Sequence, residues 1–126
     1  MPKPSNITTA HFVSVMSDMK KPSAPICRLL KAHCNSLGRV STMSLLAEAA
    51  RYNSFSPANL HYGGLARRIG KHLAISEPTL KLPTESDAYL SLLGDFIPPG
   101  KLTNTQWLLV MKPEFAEALL ECGWVK

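Results

Sequence analysis

The chain of 126 residues contains no Cys-x-x-Cys pair, no His-Glu-x-x-His, no Gly-x-Ser-x-Gly elbow and no apolar stretch approaching the roughly 20 residues that span a bilayer. Each absence removes a class. Its three cysteines, Cys27, Cys34 and Cys122, are an odd set without metal-ligand spacing, so neither a disulfide framework nor a zinc ribbon is expected, and free thiols in a reducing cytosol are. Gly64 followed by Gly70-Lys71-His72 misses the phosphate-loop pattern: five residues rather than four separate the glycines, and His72 stands where a hydroxyl is needed. The histidines His11, His33, His61 and His72 form no metal-site pattern, and carboxylates are few and mostly C-terminal. The polar, proline-bearing start carries no signal-peptide core. A cytoplasmic, non-enzymatic protein with no cofactor, no metal and no membrane association is the expectation.

What is present is apolar content of 45%, enough for one compact domain, and a lopsided charge. Through His72 there are 10 Lys and Arg against Asp18 and Glu48, a balance of +8; from Leu73 onward 4 Lys face 7 acids, a balance of −3, which recovers the net +5. One electropositive face follows, and a phosphate backbone is the commonest partner for such a face.

Residues 40–73 carry the strongest local signal. Ser41 or Thr42 can cap a short helix with Val40 as its hydrophobic staple, and Leu45, Leu46, Ala49 and Ala50 fall in one arc while Ser44, Glu48 and Arg51 take the other. After Tyr52-Asn53-Ser54, Ser56 caps a longer helix opened by Pro57. On it Tyr62, Leu65, Ala66, Ile69 and Leu73 cluster within about 100° of arc, the width of a core-facing stripe, and His61, Gly64, Arg67, Arg68, Lys71 and His72 occupy the other side. Two helices joined by a short turn read as a helix-turn-helix whose second helix has a cationic face. Gly63-Gly64 inside that helix calls for a close backbone approach or a kink. Leu60 projects onto the basic side, where a thymine methyl, a protein partner or the N-terminal arm are the surfaces it fits.

Upstream, residues 1–24 hold three prolines and read as a partly ordered arm, and Ser23 with Pro25 starts a helix through Ile26, Leu29, Leu30 and His33 that stops near Gly38. Downstream, the apolar runs 88–93 and 105–111 read as strands of a hairpin, with residues 95–104 as a Pro-Pro-Gly loop bearing Lys101; Pro113 opens a last helix with Phe115, Ala116, Leu119 and Leu120 on its apolar side, and Gly123 ends it. Trp107 and Trp124 read as core anchors. The assembly expected is α+β and winged-helix-like, a single domain over residues 25–126 in which three helices containing a helix-turn-helix precede a β-hairpin and a C-terminal helix.

The run Tyr52-Asn53-Ser54-Phe55 with Ala58-Asn59-Leu60-His61-Tyr62-Gly63-Gly64-Leu65-Ala66-Arg67-Arg68-Ile69-Gly70 resembles small accessory domains of bacterial restriction-type and HNH-endonuclease-associated proteins and of mobile elements of phages and plasmids, where Asn-Leu-x-Tyr-Gly-x-Leu-Ala follows a short helix. Val110-Met111-Lys112-Pro113-Glu114-Phe115-Ala116-Glu117-Ala118-Leu119 and Gly123-Trp124-Val125 resemble the close of the same domains. The resemblance implies an accessory role and brings no catalytic residue with it. Two functions fit. One is a DNA-binding module of a mobile element, with Arg67, Arg68 and Lys71 on double-stranded DNA beside Leu60, His61 and Gly64, supported by Lys20, Lys21, Arg28, Lys31, Arg39 and Lys101. The other is a phage- or plasmid-encoded inhibitor that docks on an acidic or nucleic-acid-binding host defence complex of restriction or CRISPR type. Helix-turn-helix proteins often act as homodimers, although no exposed heptad or separate dimerisation segment is present here.

Overall fold

The computed structural model describes residues 7–73, 89–97 and 108–125. Among them are five α-helices and a small antiparallel sheet, an α+β arrangement. Thr8 opens α1 (Thr9–Ser17) with a reciprocal capping box: its hydroxyl accepts from the His11 backbone N–H at 3.2 Å, and its own N–H donates to His11 Nδ1 at 3.0 Å. Within the described part of the N-terminal segment, Thr9–Ser17 is a nine-residue helix. Phe12 and Met16 lie in the core, and the Phe12 ring packs on Phe115 at 5.3 Å.

Helix α2 (Ala24–Asn35) starts at Ser23 with Pro25 in its first turn, as its sequence predicts, and buries Ile26, Leu29, Leu30 and His33. A 3-10 turn (Leu37–Arg39) leads into β1 (Val40–Thr42), a strand the sequence reading missed because it took Val40 for a staple. Thr42 closes β1 and caps α3 (Met43–Ala49), accepting from the Leu45 N–H at 3.2 Å. The core side of α3 is Leu46, Ala47 and Ala50, while Leu45 (58% exposed) and Ala49 face outward, contrary to the expected arc. Seven residues make fewer than two turns, so the apolar positions fit two arcs about one residue apart, and packing against α2 and α4 selects between them.

Helix α4 (Phe55–His72) starts at Phe55, two residues before the expected Pro57, with Ser54 at its N-cap; Pro57 sits in its first turn, where a missing N–H is tolerated. Tyr62, Leu65, Ala66, Ile69 and Leu73 are all buried, as the periodicity requires. The run 88–93 is not a strand where it is described: Tyr89 and Leu90 are helical and Ser91, Leu92 and Leu93 continue as a turn, all five buried, with Leu92 N–H on the Tyr89 carbonyl at 3.0 Å and Leu93 N–H on the Leu90 carbonyl at 2.9 Å. Five consecutive buried residues do not alternate between two faces. The turn presses on α4 so closely that a Cβ at Gly70 would come within 2.9 Å of Leu92 and Tyr89. The strand begins after the apolar run, as β2 (Gly94–Ile97), so residues 95–97 belong to it and not to the expected loop. Strand β3 (Leu108–Met111) is central, pairing antiparallel with β1 (Ser41 opposite Leu109) and with β2 (Phe96 opposite Leu109). Helix α5 (Pro113–Glu121) buries Phe115, Ala116, Ala118 and Leu119, leaves Leu120 exposed, and ends where Gly123 takes φ 73° and the Trp124 N–H reaches back to the Leu119 carbonyl at 3.1 Å. Trp124 is buried; Trp107 and Lys101 lie outside the described residues.

At the centre of the core His33 is fully buried and satisfied on both ring nitrogens, with Nδ1 2.8 Å from the Tyr62 hydroxyl and Nε2 2.9 Å from the Leu109 carbonyl. The carbonyl only accepts, so Nε2 carries the proton and donates, and Nδ1 accepts from Tyr62. Burial pushes the His33 imidazole below its ordinary 6.5 and the Tyr62 phenol above its ordinary 10.0. Both groups are therefore held neutral. Removing the donor in Tyr62→Phe keeps the ring but strands a buried acceptor, an expected loss of about 1–3 kcal/mol that urea denaturation measures as a lower midpoint. Because the folded value of His33 is depressed, the unfolded chain binds more protons near 6.5: its contribution is complete above that pH and declines as pH falls below it. Denaturation midpoints measured between about pH 8 and pH 5 are expected to drop on the acid side, less so in His33→Gln; equal acid slopes in the two proteins would refute the assignment.

Candidate functional site

The exposed side of α4 is assembled by its buried side. With Tyr62 tied to His33 and Leu65, Ala66 and Ile69 in the core, a step of about 100° per residue turns Leu60, His61, Arg67, Arg68, Lys71 and His72 to solvent. Leu60 is 64% exposed, so α1 does not cover it. Gly64 is half-buried, and a Cβ built there would meet nothing within 4 Å. No neighbouring segment among the described residues needs that glycine, although it costs about 1 kcal/mol relative to alanine inside a helix. Lys71 and His72 in the last turn suit the negative end of the helix dipole, and His72 Nδ1–H donates to the Arg68 carbonyl at 2.8 Å.

The turn between α3 and α4 is built from residues that propensity alone does not favour. Arg51 has φ 66°, its N–H bonds to the Glu48 carbonyl at 3.1 Å, and the next N–H, of Tyr52, reaches the Ala47 carbonyl at 2.8 Å. That pair of bonds is a Schellman ending with arginine where glycine is the usual residue. The Arg28 guanidinium, through Nε at 3.2 Å and Nη2 at 3.1 Å, donates to the Ala50 carbonyl and so secures the end of α3 from α2. The Tyr52 hydroxyl lies 2.8 Å from His61 Nδ1, with the rings edge-on at 5.4 Å, locking the turn to the first part of α4. Partial burial raises the Tyr52 phenol above its ordinary value, against the nearby Arg28 charge.

The predicted cations differ in where the fold places them. Arg67, Arg68 and Lys71 share the exposed side of α4 with Leu60, His61 and Gly64. Arg39, also with positive φ (57°), is half-buried and donates from Nε to the Met111 carbonyl at 3.2 Å, Arg28 caps α3, and Lys21 Nζ is 3.4 Å from the Gly123 carbonyl; these three are engaged within the fold. Lys31 is exposed on α2, and Lys20 is exposed beyond α1. Tyr52 is the residue that sequence reasoning missed, because it appeared only as a break in periodicity; an aromatic nine positions before an exposed histidine carries no pairing signal on its own.

Comparison with family models, curated proteins and solved structures gives no match. Among the described residues no three His, Cys, Asp or Glu are grouped to hold a metal ion, and no helix is long and apolar enough to cross a membrane.

Arg51→Gly relieves a left-handed backbone that costs an L residue about 1–2 kcal/mol, offset in part by the extra freedom of unfolded glycine. The expected net gain is about 0.5–1 kcal/mol, read as a higher melting temperature; a lower one would contradict the turn geometry.

Proposed function

We propose that this chain is a non-enzymatic DNA-binding module of a bacterial mobile element, winged-helix-like in architecture, that presents α4 to double-stranded DNA. The observation that carries this reading is the exposed side of α4, where Arg67, Arg68 and Lys71 stand together on a helix whose other side is locked in the core. Support for the architecture comes from the order α2, β1, α3, α4, β2, β3, with β3 between β1 and β2, which brackets a helix-turn-helix pair with a small sheet. The cations α4 offers are arginine-rich, suited to planar, two-pronged contact with phosphate oxygens. A cytoplasmic location accords with this role.

Duplex affinity is expected to fall steeply with salt, with a log-log slope near −0.9 for each phosphate neutralised, and Arg68→Ala is expected to weaken binding and flatten the slope by about one such unit. Fluorescence anisotropy on duplexes from about 50 to 200 mM salt measures both, and no binding at the low end would end the proposal.

The exposure of Leu60 amid these cations supports a second reading, a docking protein that blocks a host defence complex. That reading predicts a nuclease-resistant protein complex in a bacterial-lysate pull-down, lost in Leu60→Asp; recovery of nucleic acid alone would exclude it.

A further inference from the structure

Leu60, His61 and Gly64 sit together at the N-terminal half of the exposed side of α4, ahead of the three cations. At about 100° per residue Gly64 lies roughly 40° from Leu60 and 60° from His61, one turn further on, so the three outline a shallow notch with glycine as its floor. Among the described residues nothing uses that floor: none lies within 4 Å of the missing Cβ. A helix that carries a glycine no neighbouring segment requires has room for the close approach of something outside it.

The two walls differ in chemistry. Leu60 is apolar and 64% exposed. His61 is exposed too, but its ring is held: Nδ1 is 2.8 Å from the Tyr52 hydroxyl. A phenol O–H is the better donor and a neutral imidazole nitrogen the better acceptor, so Tyr52 donates to Nδ1 and the ring proton resides on Nε2, away from Tyr52. An apolar surface therefore stands beside a fixed N–H donor.

We propose that this notch reads thymine in the major groove, a step that rests on the DNA-binding reading above. Thymine presents a C5-methyl group next to the O4 acceptor; the methyl seats against Leu60 and O4 accepts from His61 Nε2–H, while Gly64 lets the base edge approach the helix. Cytosine offers an amino donor where O4 would be and lacks the methyl, so it opposes the donor of His61 and leaves Leu60 uncovered. Arg67, Arg68 and Lys71, about 10 to 16 Å further along the helix from Leu60, hold phosphates and set the register. Tyr52 acts as a positioning residue, through His61.

The test selects a randomised duplex pool on the full chain, then rebuilds the enriched duplex with deoxyuridine or with a cytosine–guanine pair at each thymine position. At one thymine, deoxyuridine is expected to weaken binding about fourfold, the effect of one methyl-sized apolar group, and cytosine about tenfold or more. Leu60→Ala should erase the thymine–uracil gap. Tyr52→Phe and His61→Ala should narrow the thymine–cytosine gap and keep the thymine–uracil gap, a split that general loss of structure would not produce. Gly64→Ala should raise the melting temperature while weakening binding to the thymine site. Steep salt-dependent binding with no preference at any thymine would overturn the notch and leave the DNA reading standing; absence of duplex binding at about 50 mM salt would remove both.

Discussion

The His33 imidazole, with the Tyr62 hydroxyl at 2.8 Å and the Leu109 carbonyl at 2.9 Å, joins α2, α4 and β3 through a single buried ring. Apolar packing by itself is forgiving about rotation, since Leu, Ile and Ala side chains exchange contacts at little cost when a helix turns by a few degrees. Two directional bonds in a water-free core are not forgiving, because any rotation that breaks one leaves a buried polar atom unsatisfied. Tyr62 thereby sets the rotation of α4, and that rotation decides which residues reach solvent. The surface that carries the functional proposal is thus a consequence of a core hydrogen bond on the opposite side of the same helix.

The α3–α4 turn adds the second constraint, on direction rather than rotation. Arg28 reaches from α2 to the Ala50 carbonyl that ends α3, and Tyr52 reaches from the turn to His61, so the crossing of the two helices is fixed from both sides. This also explains why much of the positive charge upstream of α4 is unavailable to a partner. Arg28, Arg39 and Lys21 each donate to a backbone carbonyl, at the ends of α3, β3 and α5. Net charge located the basic half of the chain but could not separate cations that cap carbonyls from cations that face outward.

The buried stripe of α4 was legible in the sequence because eighteen residues provide enough turns for one arc to win. The seven-residue α3 did not, and Leu45 and Leu46 were placed on the same side when only Leu46 is buried. The run 88–93 failed for a different reason: a short, continuously apolar stretch has no period, and a strand and a buried helix end running into a turn look alike until the neighbour is known. That neighbour is Gly70, whose significance lay in a contact with Tyr89 and Leu92 some twenty residues away in sequence. The cationic side of α4 was legible as a pattern, whereas the Tyr52–His61 pair depends on the turn geometry set by the positive φ of Arg51, which no local preference for arginine announces.

Gly64 and Gly70 stand six positions apart on one helix and carry the same intrinsic penalty, yet their surroundings are opposite. Gly70 is surrounded: Leu92 and Tyr89 occupy the space a Cβ would need, so the penalty is offset by tighter packing inside the fold. Gly64 has no such neighbour among the described residues, and alanine there would strengthen the helix without touching any other described segment. Departures from local preference that the fold itself does not compensate are where function is to be sought. In α4 that departure falls between an exposed leucine and a tethered histidine, one turn before the cations. On the proposed DNA-binding reading, those are the positions from which a helix addresses a base edge while its later turns hold the phosphate backbone.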